Sequence, residues 1–563
     1  MTPNSSARVN AISITIAFLN TLSFNAPRNW VQNNGKNRSC FNRPNWFIIR
    51  TYLRIPFLLE WNKGDFHTDT KVQQSETGLI MTIITDIKLL KNRRTKIIAT
   101  LGPASDSPEI IKQLIETGVN VFRLNMSHGE HATHENTYKL VRSIADELGK
   151  PIAILADLCG PKIRTGRFKN GQITLEDGAT VTVTTRDVEG EPGLIPSQYQ
   201  ALANDVKPGN RILLNDGNLE LIVESVDGSE ISCSVVYGGI LKNNKGINLP
   251  GVNVSAPSLT DKDRKDAQFA LGLGVDFLAL SFVRRAADIN DLRSIIKKAG
   301  ATTDIIAKIE KPEALEDVDG ILDAADGIMV ARGDLGVELK PEQVPVVQSQ
   351  LIDIARQKFK PVIVATQMLE SMIENARPTR AEVTDISYAV TLGTDAVMLS
   401  AESAAGNFPV ESVDMMDRIL RQTEGYLWQH GEYDSGLRTS DKLPVPLWGA
   451  MANASNALAR DLMARAVIVI SQGGMSAATM SSARPAAPVV AISSRVRTCR
   501  KMALMWSIIP VLVEEDDMGD HNVLAKKVAR ELELASSGDT VLLVKGFHQD
   551  PELNCPSVTV ITV

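Results

Sequence analysis

A chain of 563 residues, 44% hydrophobic and 22% charged, supplies a conventional folded core. At about 100–200 residues per domain it makes about three or four domains, or fewer if one is a large barrel. Its net charge of −6 gives no reason to expect a nucleic-acid partner, and no run of about 18 uninterrupted apolar residues argues for a membrane span. The five cysteines, Cys40, Cys159, Cys233, Cys499 and Cys555, are odd in number and widely spaced, without a CxxC pair, so a reducing, cytoplasmic setting is the simple reading.

The first 80 residues differ from the rest: no acid precedes Glu60, Asn and Arg are frequent, and half of the six tryptophans fall there. An acid-poor, Arg-containing leader reads either as an organelle transit peptide or, with Met81 as the true start, as an unstructured or untranslated leader. Residues 1–90 are therefore set apart as an N-terminal extension. From Lys91 short Val/Ile/Leu-rich runs recur, over residues 96–102, 120–127, 152–158, 277–283, 304–310, 327–333, 361–367 and 395–402. Each ends in a polar residue and leads into a stretch with helical periodicity, such as SPEIIKQLIETG, AADINDLRSIIKKAG, PEALEDVDGILDAA or PEQVPVVQSQLIDIARQ, the pattern of βα units.

Eight such runs without polar alternation predict strands covered on both faces, hence an α/β fold built on a (β/α)8 TIM barrel over residues 91–165 and 253–430. The gap after the third strand, 166–252, carries short alternating runs and many turn residues, which predicts an inserted all-β domain of antiparallel strands, a small β-barrel placed to act as a lid. Residues 431–563 read as a smaller C-terminal α/β domain, in which Ser471-Gln472-Gly473-Gly474-Met475-Ser476 joins a strand to a helix. Such a turn is either an anion site built from backbone N–H groups or a tight turn with no ligand.

In a TIM barrel the C-terminal strand ends hold the chemistry. Here they offer Thr100; Arg123, Asn125 and Ser127; Asp157; Ser281; Lys308 and Glu310; Asp334; Thr366; and Glu402. The two-residue step puts Lys308 and Glu310 on one strand face, and Asp334 falls on a turn between Gly333 and Leu335-Gly336. Carboxylates beside cations fit a general acid/base pair, a hard-metal site or a structural ion-pair network. Mg²⁺ on two carboxylates, with Arg123 and Lys308 facing phosphoryl oxygens, argues for phosphoryl transfer over hydrolysis. Two decoys are set aside: Arg332-Gly333-Asp334 ends an apolar strand and does not read as an adhesion signal, and His128, His131 and His134 lack the i, i+4 pair of a zinc helix.

The phrases KIIATLGPAS, VFRLNMSHG, LADLCGPKIRTG, NKGINLPG, FLALSFVR, IIAKIEKPEAL, IMVARGDLGVE, ATQMLESMI and PTRAEVTDISYAV, in this order from about Asn92, closely resemble the pyruvate kinase family, in its bacterial branch with lysine in the GPKIR motif. The resemblance implies transfer of the phosphoryl group of phosphoenolpyruvate to ADP, giving pyruvate and ATP. It implies Mg²⁺ (or Mn²⁺) on Glu310 and Asp334, and Lys308 as the cation that stabilises the phosphoryl group and the enolate. It implies Arg123 as the phosphate-binding arginine, Gly333, Asp334 and Thr366 as substrate contacts, and Ser281 in the same pocket. The nucleotide-side positions are Thr100, Pro103, Asn125, His128, Arg164 and Lys245, with Asp216 as the acid of the lid. A homotetramer and a sugar-phosphate or nucleotide effector, the latter at Ser471, Gly474 and Ser476, are also implied.

Three departures from the family pattern stand out. Many relatives hold K⁺ on the residues matching Asn125, Ser127, Asp157 and the carbonyl of Leu158, and carry an acid where this chain has Lys162. A fixed ammonium supplies the charge of that ion, so K⁺ is expected not to be required. Met475 replaces a basic residue common in the effector loop, which weakens the case for a doubly phosphorylated effector. Ala401 and Ser403 flank Glu402 where relatives have Gly and Thr. A metal-dependent lyase or aldolase, and a non-catalytic paralogue, remain as rival readings; the nucleotide-side residues disfavour the first and the intact lysine and carboxylates the second.

Overall fold

The structure, a computed structural model, describes residues 89–434, 445–548, 550 and 552–563. The expectations for the N-terminal extension, including Met81, therefore lie outside the described residues apart from Leu89 and Leu90. Strands Lys96–Thr100, Val121–Asn125, Ala153–Asp157, Phe277–Leu280, Asp304–Ile309, Gly327–Ala331, Val362–Ala365 and Ala396–Leu399 close into a barrel of parallel neighbours, the eighth strand pairing with the first. Alternate side chains fill the interior: Ile98, Val121, Leu155, Ala279, Ile306, Met329, Ile363 and Met398 pack together there, while Ile97, Phe122, Ile154, Leu278 and Ile305 join the outer layer under the helices. One further two-residue step toward the C-terminal ends reaches Thr100, Arg123, Asp157, Ser281 and Lys308. The apolar interior thus gives way to a charged layer at the mouth.

The helices follow their sequence signals with two exceptions. Pro108–Thr117 starts at Ser107, whose side chain accepts from the Ile110 amide, and stops at Gly118 with φ 128°; it buries Ile111, Leu114 and Ile115, each worth about 1.5–3 kcal/mol. The stretch 312–325 is two short helices, Glu313–Glu316 and Val318–Ala324, because Asp317 leaves helical geometry and takes the amide of Ala286. Asp334 lies on no turn. It stands in the first turn of the helix Arg332–Glu338, which follows the sixth strand directly, and an acid there is favoured by the helix dipole.

Between the third and fourth barrel strands the chain forms a six-stranded sheet, in the order Ile247–Asn248, Arg211–Leu214, Leu219–Asp227, Glu230–Tyr237, Thr180–Thr184, Leu194–Pro196, and a two-stranded sheet of Gln172–Leu175 with Gly239–Lys242. It has its own core around Val183, Leu221, Ile231 and Leu241. The expectation of purely antiparallel strands needs correction: Thr180–Thr184 and Leu194–Pro196 are parallel, and Leu202–Asp205 is a helical turn. Pro196, with no N–H to donate, suits its edge position.

The C-terminal sheet runs Ile508–Leu512, Val489–Ser493, Val467–Ile470, Thr540–Lys545, Ser557–Thr562, parallel except for its last strand. It is tied to the barrel by buried polar contacts: Arg94 Nη1 donates to Ser507 Oγ at 2.8 Å, Lys96 Nζ donates to the Ile508 carbonyl at 2.7 Å, and Arg484 pairs with Asp395. Among the described residues no helix is long and apolar enough to cross a membrane.

Candidate active site

Asp157, at the end of the third strand, organises the barrel mouth. Its Oδ2 accepts from Arg123 Nε at 2.7 Å, and its Oδ1 lies 3.3 Å from Lys308 Nζ, an ion-pair contact without hydrogen-bond alignment. Burial works against the charge of Asp157, but Lys308 and Arg123 outweigh it and hold the carboxyl below its ordinary range. Burial likewise disfavours the Lys308 ammonium, yet Asp157 and Glu310, the latter at 2.9 Å, hold its pKa above normal. Lys308 also donates to Ser281 Oγ at 2.7 Å, and Ser281 in turn to the Leu158 carbonyl at 2.7 Å. Arg123 Nη1 reaches Thr100 Oγ1 at 3.1 Å, so Thr100 stands behind the arginine. The result is two cations spaced by one buried acid.

Glu310, 1% exposed at its side chain, accepts from the Phe282 amide at 2.7 Å. Its carboxyl is pushed up by burial and by nearby Asp334, with Lys308 opposing. Two neighbouring carboxylates, one of them desolvated, fit a hard divalent cation, which needs oxygen donors and accepts substrate oxygens in its remaining positions. No group of three or more His, Cys, Asp or Glu side chains among the described residues is arranged to hold a metal ion, so a metal here would rest on these two acids and on substrate. Two of the three histidine rings are otherwise occupied: His131 pairs with Asp266 and stacks on Phe269, and His134 Nε2 meets the His128 carbonyl.

Strained backbone is found at the same place. Thr366, Gln367 and Phe282 have φ of 66°, 54° and 54°, which for β-branched or bulky residues persists only where neighbours impose it. Arg332 imposes it on Thr366: its guanidinium donates to the carbonyls of Thr366 at 2.8 Å and Ala365 at 3.3 Å, and is anchored on Asp385. Thr366 Oγ1 accepts from the Gly333 amide at 2.7 Å and donates to the Ala365 carbonyl. A Cβ at Gly333 would stand 3.3 Å from Thr366 Oγ1, so a side chain there would press the threonine hydroxyl out of place by a few tenths of an ångström. Sequence reasoning set Arg332 aside within its RGD tripeptide; the partners that reveal its role lie about 33 residues further on.

A cleft of about 660 Å³ brings together Arg123, Asn125, Ser127, His128, Asp157, Leu158, Lys162, Arg164, Ser281, Lys308, Glu310, Asp334 and Thr366. Cys159, Phe282, Met329, Ala331, Met398 and Ser400 complete its wall, residues the sequence reading did not single out as site residues. Gly333 and Asp216 line an adjoining cleft that shares Lys162 and Asp334. Pro103 and Lys245 line neither: Pro103 is exposed on the loop after the first strand, and Lys245 is half-buried where the inserted sheet rejoins the barrel. Lys162 Nζ stands 3.5 Å from Asp334 Oδ1. Of the four positions expected to hold K⁺, three have protein partners: Asn125 Oδ1 takes the Ser127 amide, Asp157 its two cations, and the Leu158 carbonyl takes Ser281. Glu402 is structural, accepting the amides of Leu369 and Ser400, and Ser403 joins the first and eighth strands through Thr100.

In the C-terminal domain Ser471, Ser476 and Met475 line a second cleft of about 1000 Å³, with Gly474 at φ 91° just before the helix Met475–Ser482. Ser471 Oγ accepts the Ala477 amide. Arg495 and His548 face the same cleft, so a cation missing from the glycine turn is provided from a different segment.

Family profiles described as "Pyruvate kinase, barrel domain" and "Pyruvate kinase, alpha/beta domain" match residues 92–413 and 449–558. The chain is 44% identical over 462 residues to Pyruvate kinase 2 of Synechocystis sp., covering 81% of this chain and 77% of that one. It is 44% identical over 431 residues to the Pyruvate kinase of Corynebacterium glutamicum, covering 76% and 89%. The crystal structure of a pyruvate kinase from Cryptosporidium parvum superposes with a TM-score of 0.78 at 35% identity, covering 84% of this chain and 98% of that one.

Proposed function

The chain belongs to the pyruvate kinase family and is a phosphotransferase of that activity, moving the phosphoryl group of phosphoenolpyruvate to ADP, and on that premise we propose how its residues divide the work. Glu310 and Asp334 hold Mg²⁺ or Mn²⁺. A divalent cation bound there supplies positive charge against the phosphoryl oxygens. Arg123, oriented by Asp157 and Thr100, grips the phosphate. Lys308, kept charged by Asp157 and Glu310 and steadied by Ser281, stabilises the charge that develops on the transferring group and then on the enolate oxygen. Thr366 and the Gly333 amide frame the enolate, on a backbone that Arg332 holds in place. Asn125, His128 and Arg164, with Pro103 and Lys245 further out, serve the nucleotide, and Asp216 comes to it on the inserted lid.

Lys162 takes the place of K⁺. The ion pairs of Asp157 and the hydrogen bonds accepted by Asn125 Oδ1 and the Leu158 carbonyl support this reading, as does the position of Lys162 beside Asp334 in the shared cleft. The lysine also supports a place in the GPKIR branch of the bacterial enzymes. An anionic effector, a sugar phosphate or nucleotide, binds at Ser471, Gly474 and Ser476, a reading supported by Arg495 across that cleft. A homotetramer and a cytoplasmic location accord with the family's oligomeric, glycolytic character.

The observation that carries the mechanism is the chain of contacts Arg123–Asp157–Lys308–Glu310 in the barrel mouth. Pyruvate formation from phosphoenolpyruvate and ADP is expected to stop with a chelator, to return with Mg²⁺ or Mn²⁺, and to stay absent in Glu310→Gln. Full activity of Glu310→Gln at ordinary metal concentrations would refute the ligand assignment.

A further inference from the structure

Glu338 ends the helix whose first turn carries Gly333 and Asp334. Its side chain is 1% exposed, and one oxygen, Oε1, takes two donors: Lys311 Nζ at 2.6 Å and Asn248 Nδ2 at 3.1 Å. Three segments meet at that atom. Lys311 directly follows Glu310 at the end of the fifth barrel strand. Asn248 lies on Ile247–Asn248, the last strand of the inserted sheet, which pairs with Leu213 and Leu214 just before Asp216. Glu338 itself closes the helix of Asp334. The amide of Ile247 also donates to the Ile163 carbonyl, so the chain entering and the chain leaving the insert are joined at the same root, next to Lys162. Lys162, Asn248, Lys311 and Asp334 line one narrow cleft there.

A charged hydrogen bond between buried groups fixes geometry more tightly than apolar packing, because leaving either partner unpaired is costly. We propose that Glu338 is a positioning residue for the metal and phosphoryl site. Through Lys311 and its own helix it sets the separation of Glu310 and Asp334, and through Asn248 it couples that separation to the seating of the inserted domain. The inference rests on Glu310 and Asp334 as the metal ligands. It predicts that disturbing Glu338 alters metal affinity first, whereas disturbing Asn248 alters nucleotide use alone.

The test measures Mn²⁺ binding to the full chain from the paramagnetic resonance signal of free Mn²⁺, beside kcat and KM for ADP and the melting temperature without metal. Glu310→Gln checks the underlying reading: it should abolish specific Mn²⁺ binding, and unchanged binding would overturn the ligand assignment whatever the Glu338 variants do. With binding lost in that control, Glu338→Gln and Lys311→Met are each expected to weaken Mn²⁺ affinity about 10–100-fold. The double variant should be no weaker than the worse single, since both changes break one interaction. Asn248→Ala should leave Mn²⁺ affinity unchanged and raise KM for ADP about 3–10-fold. Wild-type Mn²⁺ affinity in Lys311→Met overturns the proposal, and this variant decides the matter even where Glu338→Gln does not fold. A loss confined to Glu338→Gln and matched by a fall in melting temperature also overturns it, as does an unaltered KM for ADP in Asn248→Ala.

Discussion

Replacing Lys162 tests the link between charge in the cleft and ion requirement. Its Nζ lies 3.5 Å from Asp334 Oδ1, and the two side chains are 31% and 25% exposed. Two unit charges at that distance interact by about 5 kcal/mol at an effective dielectric of about 20. Partial exposure and salt reduce the realised value to about 1–3 kcal/mol. If the same ammonium supports the phosphoryl group to a similar degree, Lys162→Met lowers kcat about 10–100-fold. The assay is initial-rate pyruvate formation with Mg²⁺, in KCl and in tetramethylammonium chloride of equal ionic strength. The wild-type chain is expected to give equal rates in the two salts. Lys162→Glu, which restores the acid of K⁺-using relatives, should fall with Lys162→Met in tetramethylammonium and recover at least about tenfold in K⁺. Wild-type activity that disappears without K⁺ would refute the argument, as would a Lys162→Met variant with an unchanged rate in both salts.

Asp157→Asn keeps the shape but removes the negative charge shared by Arg123 and Lys308, so kcat should fall at least about 100-fold. Because Asp157 helps raise the Lys308 pKa, the alkaline limb of the kcat/KM profile should also move to lower pH; an unmoved limb would count against the pairing. Arg332→Lys loses the planar fork that spans the Ala365 and Thr366 carbonyls and Asp385, and is expected to cost about 10–100-fold in kcat, with wild-type kinetics as the contrary result. Lys96, buried against the C-terminal domain, is pushed down to about 7 by burial and by Arg93 and Arg94, against an ordinary value of 10.5. Between those values the unfolded chain binds a proton the folded chain does not, so stability falls as pH falls from 10.5 to 7, by about 1.4 kcal/mol per pH unit. Urea denaturation should show wild type gaining about 2 kcal/mol on Lys96→Met between pH 7.5 and 9; parallel pH profiles would refute the assignment.

The barrel was readable because both faces of its strands are buried, which leaves eight short apolar runs and no polar alternation to confuse with a half-exposed sheet. The charged mouth was readable for the same geometric reason: one step of the two-residue period beyond Leu155, Ala279 or Ile306 lands on Asp157, Ser281 or Lys308. What escaped was set by contacts distant in sequence. The seven-residue helix Arg332–Glu338, with two glycines, has too few turns to show a period, so Asp334 read as a turn residue. Arg332 declares itself only through carbonyls 33 and 34 residues away. The break at Asp317 depends on the Ala286 amide, 31 residues earlier, and Arg495 reaches the C-terminal cleft from a different strand end. Local pattern shows which side chains enter the mouth, but not what holds them there.

That distinction bears on how the site works. Arg123 and Lys308 are like charges that would drift apart in water, yet the proposed function has both face one phosphoryl group. A single buried carboxylate between them, with Ser281 and Thr100 completing their hydrogen bonds, fixes the two before substrate arrives. The desolvation cost of Asp157 is met during folding, where the packed barrel sustains it, and little reorganisation is left for the moment of transfer. The strain at Thr366 and Phe282 follows the same logic, since Arg332 and Glu310 hold those backbones where relaxed geometry would not. On this view conservative change is costly at the residues that hold the charges as well as at those that carry them, which is why an arginine-to-lysine exchange at position 332 is expected to cost activity while leaving every substrate-facing side chain in place.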